Sequence, residues 1–392
     1  MNHYFNEKIS LIMSLLIINN YLLLSLNLPQ IITKINFLVF LLFVLIFYSK
    51  NFSENIFLKI SFLFIIFISL GVVTDGWDAR SIWLFHAKRI FYENTIFSIA
   101  DNYASFSHNA YPTLAPAFAA SLGKLVGHWN EIFPKIAFSF IFLPVLIFST
   151  SLFKNSHYLI FLSIIFFTIG NYLFNGWADG LLAAYFCLSV LMMYLIIISD
   201  DSHYKNNIYN FIGFCFFITL TLIKNEGLAL LSIIFLVTFL MLIYKSQLSK
   251  KIYSLIILSL SFLPIFLWKY YCFLNGIGNE FINQDIFTNL FPRIFSLSNY
   301  ADITYFLYIN EKFLIPLIFF LISFKIKWNR ELFIFVSSIF LLYSIILYFI
   351  FLSTPHDFAW QLNTSAARII KSFNFLLAFF GLYNLFGLKL KN

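Results

Sequence analysis

Two aspartates, Asp75 and Asp78, directly follow a long apolar run and are the first residues here whose types and spacing suggest chemistry. Carboxylates three positions apart can act as a general base, as ligands of a divalent cation, or as both. A helix is predicted to begin beside them, so either aspartate can instead cap its first N–H groups. The segment therefore predicts a catalytic carboxylate, with an N-cap as the structural alternative.

Cations and a histidine stand at the ends of other apolar runs. His108 can donate a hydrogen bond to a phosphate or a sugar, or it is simply a solvated loop histidine. Lys224 suits a lipid phosphate, although Glu226 beside it can neutralise the charge. Arg368 begins the last apolar run, where it can bind a phosphate bidentately or anchor the helix at the interface.

Two further carboxylates lie in polar segments between apolar runs: Asp179 in the sequence NGWADG, and Asp357 shortly before Arg368. An aspartate between apolar runs is costly unless it is hydrated or paired. Carboxylates together with lysine, arginine and histidine indicate a site that deprotonates a hydroxyl group and holds a phosphate.

The composition shows where these side chains must be positioned. Of 392 residues, 61% are hydrophobic and 11% are charged, and the mean hydropathy is +0.87. A soluble domain carries roughly a quarter charged residues, so lipid must be the solvent for most of this chain. The net charge of +8 does not indicate a nucleic-acid partner, because the cations lie in short loops between apolar runs.

The apolar runs predict an all-α polytopic membrane protein that forms a single transmembrane domain over residues 1–392. Crossing the hydrocarbon core takes about 20 mostly apolar residues. About twelve runs fit, namely 9–28, 35–49, 56–74, 135–153, 157–174, 180–199, 208–223, 227–243, 252–271, 312–325, 331–352 and 369–388. The longest stretches left outside them are 75–134 and 272–311.

Lysine and arginine in the connections predict the orientation. With the N-terminus in the cytoplasm, the basic clusters fall in cytoplasmic loops, which hold Lys50, Lys154, Lys205, Lys245, Lys250, Lys251, Lys325, Lys327, Arg330, Lys389 and Lys391. Five polar segments hold the residues named above, and all of them then lie outside the cytoplasm: 74–80, 107–114, 175–180, 224–227 and 354–368. The two long loops on that side are 75–134 and 272–311. This shared side predicts that the segments converge on one site.

The first long loop is predicted to hold two helices that lie on the membrane surface. Residues 78–97 contain both large apolar side chains and charged ones. Residues 111–126 are mostly apolar but contain two prolines and Lys124. The alternative, that 111–126 crosses the membrane, would place every later basic loop outside. The charge rule therefore favours a surface helix.

The order of these segments resembles a known family. A span, an aspartate motif, a helix containing AKRIF and a second helix opening with YPTLAP follow one another. This order is similar to that of bacterial GT-C glycosyltransferases, which include protein mannosyltransferases and lipid A aminoarabinose transferases. The later segments GWADG, IKNEGL and HDFAWQLNTSAAR look like motifs of a branch of that family. Asp-Gly-Trp-Asp replaces the usual Asp-Glu pair, and two spans precede the usual first one.

The resemblance implies an inverting transfer of a sugar from a polyprenyl-phosphate donor, on the periplasmic side of a bacterial cytoplasmic membrane. Asp78 would be the general base, with Asp75 the close alternative, and a divalent cation stays open. The acceptor would be a lipid-linked glycan, a lipid or a protein. Lys224 and Arg368 would bind the donor phosphate. The residues that would position substrate are His108, Asp179, Glu226 and Asp357.

Other functions give different patterns. A transporter would carry ionisable residues near the bilayer midplane and often an internal repeat. We find no repeat, and the middle parts of the spans are almost free of charge, Lys269 near the end of its span being the residue that departs from this. A glycan polymerase or ligase is the second alternative, but such enzymes rely on basic residues and histidines in a large late loop. A purely structural role fits five polar segments on one face least well.

Overall fold

The structure, a computed structural model, describes residues 2–49, 56–74, 76–198, 203–278, 286–309 and 312–388. Within these ranges every regular element is a helix. The first nine are α1 (Asn2–Ser25), α2 (Gln30–Ser49), α3 (Ile56–Gly71), α4 (Leu84–Glu93), α5 (Leu114–Val126), α6 (Phe133–Ser149), α7 (Asn155–Ile169), α8 (Asn171–Phe174) and α9 (Asp179–Ile198). The others are α10 (His203–Ile223), α11 (Glu226–Tyr244), α12 (Leu248–Ser259), α13 (Leu263–Leu274), α14 (Ile286–Ile294), α15 (Leu297–Thr304), α16 (Leu314–Ile326), α17 (Arg330–Ser353) and α18 (Phe358–Phe386).

Seven of these helical segments are long and apolar enough to cross a membrane, so the chain is an all-helical, multi-pass membrane protein. They are Tyr4–Ser25, Gln30–Ser49, Asp179–Ile197, Glu226–Tyr244, Leu248–Leu274, Arg330–Ser353 and Phe358–Phe386. An eighth results if the bent pair Leu297–Ile309 and Leu314–Ile326 forms one span. Seven of the twelve predicted apolar runs coincide with these segments. The other five, 56–74, 135–153, 157–174, 208–223 and 312–325, lie in helices whose apolar part is shorter. Twelve crossings therefore stay a prediction.

The centre of the bundle is formed by α9 and α18. The whole apolar window of α9 is buried, whereas in α11, α12–α13 and α17 only half or less of the window is buried. A helix that is apolar on every side is accommodated by burial within the bundle. The first residue of α9, Asp179, and Arg368 of α18 consequently lie where the buried core meets the loops.

The N-terminus and several basic loops lie at one end of the bundle. Asn6 donates to Thr150 at 2.8 Å, which joins the start of α1 to the end of α6. Lys245 pairs with Glu331 at 2.5 Å, which joins the end of α11 to the start of α17. Because successive long helices are antiparallel, α3 ends and α9 starts at the opposite end. We call these the basic end and the site end.

Helix α5 stays at the site end. Its last turn carries Lys124, which donates to Asn94, and Asn94 in turn donates to the carbonyl of Leu28 at 2.9 Å, between α1 and α2. Residues 114–124 are all buried within the protein. The helix has 13 residues, fewer than the about 20 that cross the hydrocarbon core. A position at the membrane surface stays a prediction.

The first predicted surface helix is shorter than 78–97. A π turn over Ala79–Trp83 leads into α4, which ends at Glu93 because Asn94 takes the left-handed conformation at φ 60°. Asparagine tolerates this conformation better than most residues and ends helices this way. In the second long loop the structure places α14 and α15.

Candidate functional site

Asp78 forms a partly buried ion pair with Arg368, which lies 290 positions further along the chain. Asp78 is only 9% exposed. It stands at the N-cap position of the π turn, yet its side chain makes no capping hydrogen bond. The N-cap interpretation is therefore wrong for Asp78, whose carboxylate is used to bind a cation. Asp75 lies outside the described residues.

Lys224 forms a second buried ion-pair group. Its ammonium lies 3.0 Å from Asp179, the first residue of α9, and 3.0 Å from Glu226, the first residue of α11. Burial alone would lower the pKa of Lys224, but the two carboxylates outweigh it and raise that pKa well above its ordinary value. Lys224 thus stays charged. It neutralises Glu226 as the sequence suggested, and Asp179 as well.

Aromatic rings connect the two ion-pair groups. The Arg368 guanidinium lies 5.2 Å from the centre of the Trp177 ring, and the Lys224 ammonium lies 6.0 Å from the Tyr111 ring. Both distances permit cation–π attraction. Burial raises the pKa of the Tyr111 hydroxyl, and nearby Glu226 adds to the effect. We call the five charged residues the charge cluster: Asp78, Asp179, Lys224, Glu226 and Arg368.

The charge cluster is close to neutral rather than cationic. Three carboxylates and two cations give a net charge of one negative. One oxygen of Asp179 and one of Glu226 are buried without a hydrogen-bond partner among the described residues. Buried carboxylate oxygens without a donor are costly, which is typical of a site that binds something rather than of a structural ion pair.

His108 lies beside the cluster within a group of rings. It stacks on Tyr111 with ring centres 5.1 Å apart, and Tyr111 stacks on Trp83 at 5.7 Å. On its other side, His108 meets the exposed ring of Trp77 edge-on at 5.9 Å. His108 is therefore half-buried between rings and is not a freely solvated loop residue.

Asp357 is the predicted site residue that the structure leaves apart. It is exposed and caps α18, accepting a hydrogen bond from the backbone N–H of Trp360 at 2.8 Å. Arg368 follows eleven positions later, which is about 16 Å along the helix axis. Within the part of the chain that the structure describes, no contact joins Asp357 to the cluster, so its role in positioning substrate stays a prediction.

Sequence reasoning did not assign roles to four residues that the structure places in or beside the cluster: Tyr111, Trp177, Asn225 and Lys269. Lys269 donates to the side-chain oxygen of Asn225 at 2.6 Å and to the carbonyl of Ala110 at 3.2 Å. Tyr111, Trp177 and Asn225 belong to polar segments that the sequence analysis identified, and Lys269 is the charged residue near the end of a predicted span. Lys269 was the signal that could have been followed further, because a lysine inside a span needs a partner.

A metal site is not apparent in the described ranges. No group of three or more histidine, cysteine, aspartate or glutamate side chains gathers there in a way that could hold a metal ion. Asp75 lies outside those ranges, so the predicted pairing of Asp75 with Asp78 around a divalent cation stays open.

No protein-family model, curated protein or solved structure matches this chain. The geometry of the cluster must therefore carry the interpretation. That geometry offers a carboxylate that can accept a proton, two cations that can stabilise an anion, and flat aromatic rings beside them.

Gly76 allows Trp177 to pack under Arg368. A Cβ atom at position 76 would lie 2.1 Å from Trp177 Nε1. We expect Gly76→Ala to lower the free energy of unfolding by about 1–3 kcal/mol, because the indole must move. Gly71→Ala is the control, since a Cβ there meets nothing within 4 Å. Thermal unfolding in detergent measures both, and equal stability of the two variants would contradict this packing.

His86 tethers α4 to the loop before His108. Its Nε2 atom lies 2.9 Å from the carbonyl of Ser107, so Nε2 carries the proton and donates, while Nδ1 is buried and has no partner among the residues that the structure describes. Burial lowers the pKa of His86 from 6.5 to about 4. Protonation at Nδ1 would bury an N–H group that has nothing to bind.

The stability of the fold should therefore depend on pH through His86. The unfolded chain binds a proton near pH 6.5 and the folded chain does not until about pH 4. Stability is then lost as the pH falls through this window, by roughly 1.4 kcal/mol per pH unit. His86→Gln keeps a donor for Ser107 but does not titrate. Between pH 7 and pH 5 the wild-type protein should lose more stability than this variant, and equal losses would refute the assignment.

Proposed function

We propose that this protein is an integral membrane glycosyltransferase that moves a sugar from a polyprenyl-phosphate donor to an acceptor hydroxyl outside the cytoplasm. One observation carries the proposal: Asp78, which follows the end of α3, meets Arg368 in a buried cluster at the site end. A carboxylate beside a cation suits a reaction that needs a base and produces a phosphate.

The reaction balances with these residues. Asp78 accepts the proton of the acceptor hydroxyl while that oxygen bonds to the anomeric carbon of the sugar. The bond from the anomeric carbon to the phosphate oxygen breaks, and its electron pair leaves with the polyprenyl phosphate. Arg368 and Lys224 stabilise the charge that develops on this leaving group. One displacement inverts the anomeric centre.

The ion pair couples donor binding to the base. An incoming phosphate competes with Asp78 for the Arg368 guanidinium, which binds phosphates and carboxylates in the same bidentate manner. As Arg368 turns to the phosphate, the Asp78 carboxylate becomes available to the acceptor. The exposed ring of Trp77, next to Asp78, offers a flat face against which a sugar can pack.

The location of the cluster favours this reaction over transport. Asp179, Lys224 and Glu226 stand at the ends of long helices and Asp78 at the start of a π turn, and these hold Arg368 of α18 at the same end of the bundle. A transporter instead places ionisable residues near the midplane. A polymerase or ligase would use basic residues of a late loop. Arg293 in α14 is instead bound to backbone carbonyls, at 2.7 Å in the case of Thr354.

The basic loops support an outward-facing site. Lys245, Lys325 and Arg330 belong to loops at the basic end, and loops rich in lysine and arginine stay in the cytoplasm. The site end then faces the periplasm of a bacterial inner membrane. A polyprenyl chain in the bilayer would reach this end directly.

The experiment that tests the function is an assay of purified protein in liposomes against a panel of polyprenyl-phosphate sugars. We expect one donor to be converted to polyprenyl phosphate with its sugar attached to a glycan, lipid or protein acceptor. Absence of turnover with every donor, while the protein moves a solute across the same liposomes, would favour the transporter instead.

A further inference from the structure

Lys269 is the cation beside the charge cluster that forms no ion pair within the described ranges. Arg368 and Lys224 are both paired with carboxylates, at Asp78 and at Asp179 and Glu226. The Lys269 ammonium instead donates to two neutral oxygens, Asn225 Oδ1 at 2.6 Å and the Ala110 carbonyl at 3.2 Å. A partly buried lysine without a carboxylate is costly unless water or an anion binds to it.

Lys269 and Asn225 have further N–H groups that these two bonds do not use. An ammonium has three protons, and these two bonds use two of them. Because Lys269 only donates, Asn225 must turn its oxygen toward it. The Asn225 amide nitrogen is then buried, and it has no hydrogen-bond partner among the described residues. One ammonium proton and two amide protons on neighbouring residues therefore have no acceptor within the described ranges, and an anion would supply one.

The route to this position is apolar and faces outward. Along α13 the side chains of Phe266, Tyr270 and Phe273 are exposed and repeat every three to four positions, forming one stripe. Lys269 is next to this stripe and is itself partly exposed. A phosphate that reaches Lys269 from this side can keep an attached hydrocarbon chain against the aromatic stripe.

We infer that Lys269 and Asn225 bind the phosphate of a lipid-linked phosphoester whose hydrocarbon chain lies along α13. This inference rests on the proposed function in naming the donor, and it adds residues that the sequence pattern did not assign. The bound phosphate lies beside Glu226 and the charge cluster. Its oxygens accept hydrogen bonds from the remaining N–H groups of Lys269 and Asn225.

The test is binding of farnesyl phosphate to the full chain in nanodiscs by titration calorimetry. Lys269→Met should weaken binding by about tenfold to a hundredfold, the value of a charged hydrogen bond. Lys124→Met is the matched control, because Lys124 also donates to an asparagine, Asn94, whose amide nitrogen is already bonded to Leu28. Lys124→Met should bind like the wild-type protein. Unchanged binding in Lys269→Met would overturn the inference.

Asn225→Asp separates binding from folding. It places a carboxylate against Lys269, so the fold should be at least as stable, whereas the phosphate is repelled and its affinity falls at least tenfold. Retained affinity in this variant would contradict the site.

Two other ligands identify the source of the phosphate. Farnesol should bind at least tenfold more weakly than farnesyl phosphate, and equal affinity would overturn a phosphate site. Inorganic phosphate should bind weakly, because it has no hydrocarbon chain that can pack along α13. Equally tight binding of inorganic phosphate would overturn the lipid assignment. Binding is measured without sugar transfer. The binding result therefore tests the phosphate site even if the protein turns out not to transfer a sugar.

Discussion

Asp78→Asn should reduce the rate of sugar transfer by about a hundredfold to ten-thousandfold, the usual contribution of a general base. Asparagine retains the shape and a hydrogen-bond acceptor for Arg368 but cannot take the proton of the acceptor hydroxyl. The charge of Arg368 then lacks its counter-ion, so we also expect a loss of about 1–3 kcal/mol in stability. Transfer rates must therefore be compared at equal amounts of folded protein, checked by thermal unfolding.

Asp101→Asn is the matched control for this experiment. Asp101 also pairs with an arginine, Arg89, at 2.9 Å, but its side chain is 57% exposed. Removing its charge should leave transfer and stability nearly unchanged, because exposed ion pairs contribute little. Asp75→Asn tests the alternative base. Full activity in both Asp78→Asn and Asp75→Asn would refute a general base in this segment.

Lys224→Met should destabilise the fold by about 3–5 kcal/mol, because it leaves the buried carboxylates of Asp179 and Glu226 without a cation. Thermal unfolding in detergent should shift downward by roughly 10 °C. Lys245→Met is the control: its partner Glu331 is 48% exposed, so the expected loss is below about 1 kcal/mol.

A mutant cycle shows whether the loss comes from the unpaired carboxylates. The triple variant Lys224→Met, Asp179→Asn, Glu226→Gln removes all three charges and should recover most of the stability of the wild-type protein. If the triple variant is as unstable as Lys224→Met alone, the effect comes from lost packing and not from charge.

The helices were largely predictable because each apolar run needs lipid or a core. Their ends were less so. The last predicted span begins at 369, whereas α18 begins at Phe358, three turns earlier. Hydropathy does not detect this extension because polar residues (Gln361, Asn363, Thr364, Ser365 and Arg368) interrupt its apolar ones, and Asp357 caps it. Asn94 similarly ends α4 through a left-handed backbone, which alternation of apolar residues does not show.

The members of the site were easier to predict than their contacts. Lys224 and Glu226 are two positions apart, so their pairing was visible in the sequence. Asp78 and Arg368 are joined only by the packing of α18 against the rest of the bundle, which no local pattern encodes. The same packing brings Lys269 to Asn225. A pattern of residues therefore indicated which groups gather, but not that both predicted phosphate ligands are already paired with carboxylates.

The anomeric configuration of the product, determined by nuclear magnetic resonance, tests the central claim most directly. A single displacement with Asp78 as base attacks the face of the sugar opposite to the phosphate. The product must then have the configuration opposite to that of the polyprenyl-phosphate donor, and Asp78→Asn must not form it at a comparable rate. Retention of the donor configuration would contradict the account.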